Sequence, residues 1–284
     1  MKKIKKAFTL AEVLITLGVI GVVASITLPT LIKEYNKHAW VNSLKENYSL
    51  LNQGFKKMIA DDGVEFIEDT EVWRAINGDY DACRSSGGLY VPDYCKDFYA
   101  QLKKYFKIIL IDRGVDDYIG SHGETEYMPY KYKYRNISDE RRYTEYIIHL
   151  SNGAMIWDYY FYKNPPMEAF PRVIHALGGH MYKQAGYFNI DVNGNRGPNE
   201  FGKDIFRFFI TERGQLAPYG GNDHAIVKAS YNFTQEKLEK CKANGGSCGG
   251  YCDNTSRYDD SNNVPPGYSC AGLLIDQLNW KMDY

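Results

Sequence analysis

The stretch Met1-Lys2-Lys3-Ile4-Lys5-Lys6-Ala7-Phe8-Thr9-Leu10-Ala11-Glu12 opens an apolar run that continues to Ile32. Four lysines precede a segment of membrane-spanning length, and Glu12 is the one carboxylate inside it. A carboxylate at that depth among apolar residues is costly, so it marks a working group by default. An ordinary secretory signal has a shorter apolar core followed by a small-residue cut site. Here the small residue, Ala7, comes before the apolar core. A cut after Ala7 leaves the apolar segment on the mature chain, with Phe8 as its first residue.

Downstream, Phe8 to Leu28 is long enough to span a bilayer at 1.5 Å per residue. Gly18, Gly21, Ala24 and Ser25 give the small surfaces that let membrane helices approach one another. After Pro29 the pattern changes. Val41, Leu44, Tyr48, Leu51, Phe55 and Met58 recur at three- and four-residue spacing, which predicts an amphipathic helix. Asp61-Asp62-Gly63 predicts its end. One long helix is expected, loosened where Pro29 removes a backbone donor.

The short basic leader, Ala7 before the cut, Phe8 after it, Glu12 four residues further and Pro29 together resemble the type IV pilin and type II secretion pseudopilin superfamily. One departure is Ala7, where glycine is the commoner residue. The resemblance covers residues 1–32. It implies an α+β, pilin-like fold: a long N-terminal helix packed on an antiparallel β-sheet head. The implied domains are a leader at 1–7, a transmembrane and assembly half at 8–32, an amphipathic half at 33–62 and an exported head at 63–284. It also implies cleavage between Ala7 and Phe8 by a prepilin peptidase, N-methylation of Phe8, and a role for Glu12 in assembly. Partners would be other pilin or pseudopilin subunits and an inner-membrane assembly platform. The chain would be a single-pass membrane protein with a cytoplasmic leader, and part of an extracytoplasmic filament after assembly. The alternative within the family is a minor pilin whose head binds a ligand or surface, as an adhesin or DNA-uptake component does. A membrane-anchored surface enzyme is the third class. No catalytic set is recognisable, so the chain is expected not to be an enzyme.

The 284 residues carry a formal net charge of −1, and losing the leader lysines makes the mature chain more acidic. No nucleic-acid partner is expected from that balance. The 25 tyrosines suit half-exposed strand positions. Six cysteines in an exported head read as disulfides. Cys83 with Cys95 is the first pairing to expect, leaving Cys241, Cys248, Cys252 and Cys270 for two local bridges across a loop at 241–270. The rival is a zinc site from the last four, whose spacing does not match the paired spacing of zinc ribbons.

Strands are predicted at Tyr105–Asp112, Tyr143–Leu150, Ala154–Tyr162, Gly186–Val192 and Asp204–Thr211, with a further one closing the chain near Trp280. Asn152-Gly153 is a hairpin signal, because that turn needs positive φ. Short helical patterns stand at Glu71–Ile76 and Tyr94–Lys104, and residues 113–142 read as a polar, aromatic loop. The block Asp191-Val192-Asn193-Gly194-Asn195-Arg196-Gly197-Pro198-Asn199 continues to Gly202-Lys203-Asp204. It resembles a stretch found in many prepilin-type proteins. Oxygen-bearing side chains spaced among glycines suit a hard cation, so Asp191, Asn193, Asn195, Asn199 and Asp204 are candidate ligands for a structural Ca²⁺. The block is not an EF-hand, since Gly202 stands where a bidentate Glu belongs. The other reading is a turn closed by its own Asx hydrogen bonds. No organic cofactor is expected.

Overall fold

The computed structural model describes residues 9–75, 93–113, 115–119, 125–133, 140–143, 146–161, 173–175, 181–219, 270–272, 274–275 and 280–282. The chain divides into two compact units, residues 1–39 and 40–284. The first carries most of one helix, α1, which runs Leu10–Asp62 with Pro29 inside it. Its large apolar residues from Leu10 to Ile32 are exposed. The helix is long and apolar enough to cross a membrane.

In the second unit α1 changes character. Val41, Leu44, Asn47, Leu51, Gly54, Phe55 and Met58 are buried along one face. Tyr48, expected in the core, is only half-buried, and Asn47 takes its place. The helix ends where the aspartates and glycine predict: Gly63 has φ 63°, the left-handed cap that glycine accepts without strain. Gly54 has a separate reason. A Cβ there would lie 2.1 Å from the Phe106 ring, so only glycine lets that ring seat against the helix.

The helix packs on an antiparallel sheet. Strands β1 (Ile108–Arg113), β5 (Tyr146–Leu150), β6 (Met155–Phe161), β8 (Met181–Asp191), β9 (Ile205–Thr211) and β10 (Leu216–Pro218) lie in the order β1-β5-β6-β8-β9-β10. β7 (Val173–His175) adds to β8. Period-two alternation explains both faces. Phe206, Phe208 and Ile210 of β9 join the core that holds the helix. Ile205 and Phe209 join a second cluster with Tyr130, Trp157, Phe201 and Tyr219.

The structure departs from the sequence expectations in three places. Residues 113–142 are not simply loop: they hold β2 (Val115–Ile119) and β3 (Thr125–Tyr132), and β3 pairs with β4 (Arg141–Tyr143). Tyr105 closes helix α3 (Asp93–Tyr105) and does not begin a strand. Near the C-terminus the described residues show a short helix at Cys270–Gly272, and Trp280 sits at φ 65° in a turn, so the closing strand expected there is not seen among them. Short helix α2 (Glu71–Arg74) is capped by the Thr70 side chain, which accepts from Trp73 N–H.

Polar bonds fix the helix on the sheet. Ser43 Oγ donates to Val192 O at 2.7 Å, and Asn52 Oδ1 accepts Leu216 N–H at 2.8 Å. Buried Asn47 donates to Ser43 O at 2.8 Å and accepts from Asn152 Nδ2 at 3.0 Å. Asn152 stands at the predicted hairpin turn, where Gly153 has φ 88°.

Candidate functional site

Two places hold the predicted functional residues, and they lie in different units. The first is the start of α1. Ala7 and Phe8 lie outside the described residues. Glu12 sits in the first turn, and its carboxylate is held from behind. Glu12 Oε2 accepts from Thr9 N–H at 2.8 Å and from Thr9 Oγ at 2.9 Å. The Glu12 N–H donates back to Thr9 Oγ at 3.2 Å, and Val13 N–H donates to Thr9 O. Thr9 is therefore the helix cap, and Thr9 with Glu12 forms a reciprocal capping box. The arrangement satisfies helix N–H groups that an apolar surrounding leaves without water. It also aims one carboxylate oxygen at the chain's own N-terminal turn. Thr9 is not among the expected site residues; the Thr-x-x-Glu spacing is the signal that names it.

The second place is the β8–β9 connection. The structure brings Asp191 and Asp204 together inside the head, both fully buried. Asp191 Oδ2 accepts the Tyr130 hydroxyl and Oδ1 accepts Asn193 N–H. Asp204 Oδ1 accepts Glu200 N–H at 2.7 Å and Oδ2 accepts Asn199 N–H at 2.9 Å. Burial pushes the Asp191 carboxyl well above its usual range, with the nearby Asp204 charge adding to it. Burial also raises Asp204, to about 6, against the pull of the Glu200 and Asn199 N–H groups. Asn193 donates to Gly197 O at 2.9 Å, while Asn195 points to solvent. The loop turns tightly at Gly194, where a Cβ would lie 2.7 Å from Gly153 O.

The donor set answers the cation question in two directions. Every oxygen of the two carboxylates already accepts a hydrogen bond, so the loop closes by itself as an Asx turn does. Yet Asn193 Oδ1 and Asn199 Oδ1 are buried acceptors that meet no donor. That is the one feature of the loop a cation would explain. Among the described residues no three His, Cys, Asp or Glu side chains gather as a metal set. A cation here would depend on amide and backbone oxygens beside two carboxylates.

Cys95 and Cys270 are each disulfide-bonded and fully buried. Cys83, Cys241, Cys248 and Cys252, and with them the expected pairings, lie outside the described residues, as does most of the 241–270 loop.

A family model described as the prokaryotic N-terminal methylation motif matches residues 2–28. No curated protein and no solved structure matches the chain. The match takes in the basic leader, Ala7, Phe8, the capping pair Thr9 and Glu12, and nearly all of the apolar segment. Residues 2–28 thus carry the prepilin-type methylation motif, the leader of type IV pilins and pseudopilins, at the start of a long apolar helix followed by an antiparallel sheet.

Proposed function

We propose that the chain is a structural subunit of a type IV pilus or type II secretion pseudopilus, cut after Ala7 and assembled through its N-terminal helix into a helical filament. The observation that carries this reading is Glu12 at the start of an exposed membrane-length helix, within a matched methylation motif. After cleavage the Phe8 ammonium is the nearest cation of the mature chain. On a neighbouring subunit it offers Glu12 an opposite charge, and pairing removes two isolated charges from an apolar bundle. Exchange of the Thr9 hydrogen bonds for that ion pair converts a membrane-held monomer into an assembled one.

The test has two parts. N-terminal sequencing of membrane-extracted protein begins at Phe8; an intact Met1 or a cut after Ser25 removes the reading. Glu12→Ala leaves cleavage and insertion intact but abolishes incorporation into sheared filaments. An unpaired buried ammonium costs about 3–5 kcal/mol. Normal filaments from Glu12→Ala cells contradict the role given to the carboxylate.

A second reading concerns the loop. The buried Asn193 and Asn199 oxygens without donors favour one structural Ca²⁺ beside Asp191 and Asp204. With only two charged ligands its affinity is modest, on the order of 10⁻⁴–10⁻³ M. Such a cation would hold the β8–β9 connection and take no part in chemistry.

A further inference from the structure

Directly after the apolar run the sequence turns polar over a short band, Lys33-Glu34-Tyr35-Asn36-Lys37-His38. Helix α1 continues through it unbroken, so the side chains spread around the helix axis. Leu31 and Ile32, the last apolar residues, are exposed, and so are Lys33, Glu34 and His38 beyond them. Tyr35 is 71% exposed. The one carboxylate of the band is already engaged, since Glu34 pairs with Lys37 at 3.2 Å. Among the described residues Lys33 and His38 have no ion-pair or hydrogen-bond partner. The band therefore keeps an ammonium, an imidazole and a phenol unengaged within less than two turns of helix.

The position of the band is set by a length. Glu12 and Lys33 bracket residues 13–32, which carry no charge. At 1.5 Å per residue that interval rises about 30 Å, the thickness of a bilayer's hydrocarbon core. With Lys33 at one boundary of the core, Glu12 reaches the other. A shift of one turn in either direction would draw one of the two charges into hydrocarbon. Residues 33–38 rise about 9 Å more, which crosses the headgroup layer. An amphipathic ring such as that of Tyr35, and a cation on a flexible stem such as that of Lys33, are the groups that settle at this level.

We infer that residues 33–38 form a phospholipid-binding collar, which takes the phosphates of anionic headgroups in the leaflet away from the leader and so fixes the depth of the span, with Glu12 at the opposite boundary. Lys33 supplies the charge, His38 an N–H donor, and Tyr35 a ring that rests where headgroups meet acyl chains. The occupant is lipid for two reasons. The band continues a helix of membrane length at the height where that length runs out. Its only acid is paired inside the band, so the remaining cation has an outside anion to meet. The collar belongs to the chain while the membrane holds it, and stands whether or not the chain later enters a filament.

The experiment uses the full chain in vesicles of phosphatidylcholine and phosphatidylglycerol. The probe is a phosphatidylglycerol with a diazirine in its headgroup, and peptide mass spectrometry locates the label after irradiation. Label is expected on residues 33–38 and again up to Glu12, with residues 13–32 clear. Lys33→Gln lowers the labelling of residues 34–38 about fivefold, the attraction of one lysine to an anionic leaflet. Lys33 has no bond within the chain to lose, so the substitution leaves the fold in place. Lys33→Arg keeps the labelling at the wild-type level. Lys56→Gln removes an exposed lysine further along the same helix and changes nothing. Label running through residues 13–32, or missing beside Glu12, overturns the depth assigned to the span. Equal labelling of the band by a phosphatidylcholine probe of the same build overturns the recognition of anionic lipid, as does Lys33→Gln labelled like wild type or Lys56→Gln lowered as far as Lys33→Gln.

Discussion

Leu14 and Leu44 belong to the same helix, yet the first is 61% exposed and the second is fully buried. The difference is not one of propensity. Residues 10–32 are apolar on all sides, so no packing on a single sheet face can cover them. From Trp40 onward, apolar residues keep to one stripe and the rest are polar, which suits a helix lying on a sheet. One half of the helix needs a surrounding supplied by lipid or by other helices. The other half brings its own partner, the face formed by Phe206, Phe208 and Ile210. A single continuous helix thus serves two media, and substitutions in its halves should be felt in different measurements.

The sharpest break between the halves is a pair of equal truncations. Leu44→Ala is expected to lower the stability of the detergent-solubilised full chain by about 2–5 kcal/mol. Leu14→Ala is expected to leave the thermal melt of the head unchanged. Equal shifts from both would erase the distinction. A smaller effect, still confined to the head, is expected from Asp204→Ala. It leaves the Asn199 and Glu200 N–H groups without their acceptor in a buried loop, at about 1–3 kcal/mol. A melt as stable as wild type would show that the loop is solvated rather than closed. Smallest is the cation. At ten times its dissociation constant the proposed Ca²⁺ would add about 1.4 kcal/mol to the head by linkage. The same melt with excess calcium and with chelator measures it, alongside titration calorimetry. No shift and no binding heat would leave the Asx turn as the complete account of the loop.

The N-terminal motif, the amphipathic stripe and its glycine stop, the Asn152-Gly153 turn and strands near β5, β6 and β9 were all legible in the residues. Their signals are local: period, turn chemistry and capping. β3 was not legible, for physical reasons. It carries Pro129, which demotes a strand assignment, and it ends in Tyr130-Lys131-Tyr132, whose two covered residues carry hydroxyls. Tyr130 is a core residue because its hydroxyl finds Asp191, a partner 61 residues away that no window reveals. The same distance hid the meeting of Asp191 with Asp204 and Tyr130, whereas the spacing of the loop's oxygen-bearing residues was visible. Thr9 carries the shortest signal of all, the Thr-x-x-Glu spacing, which makes Glu12 half of a cap as well as a charge.

The polar bonds between α1 and the sheet have a mechanical meaning. An apolar stripe alone tolerates a slip of one turn, 5.4 Å, because the next row of side chains offers similar contacts. Ser43 on Val192, Asn47 on Asn152 and Asn52 on Leu216 do not tolerate it, because each has one partner at one height. They key the helix to the sheet as a spline keys a shaft. A pull along the helix axis then loads these bonds in shear, all at once rather than one after another. Tension applied to the sheet-bound half of the helix, from Trp40 on, is carried into the sheet without sliding.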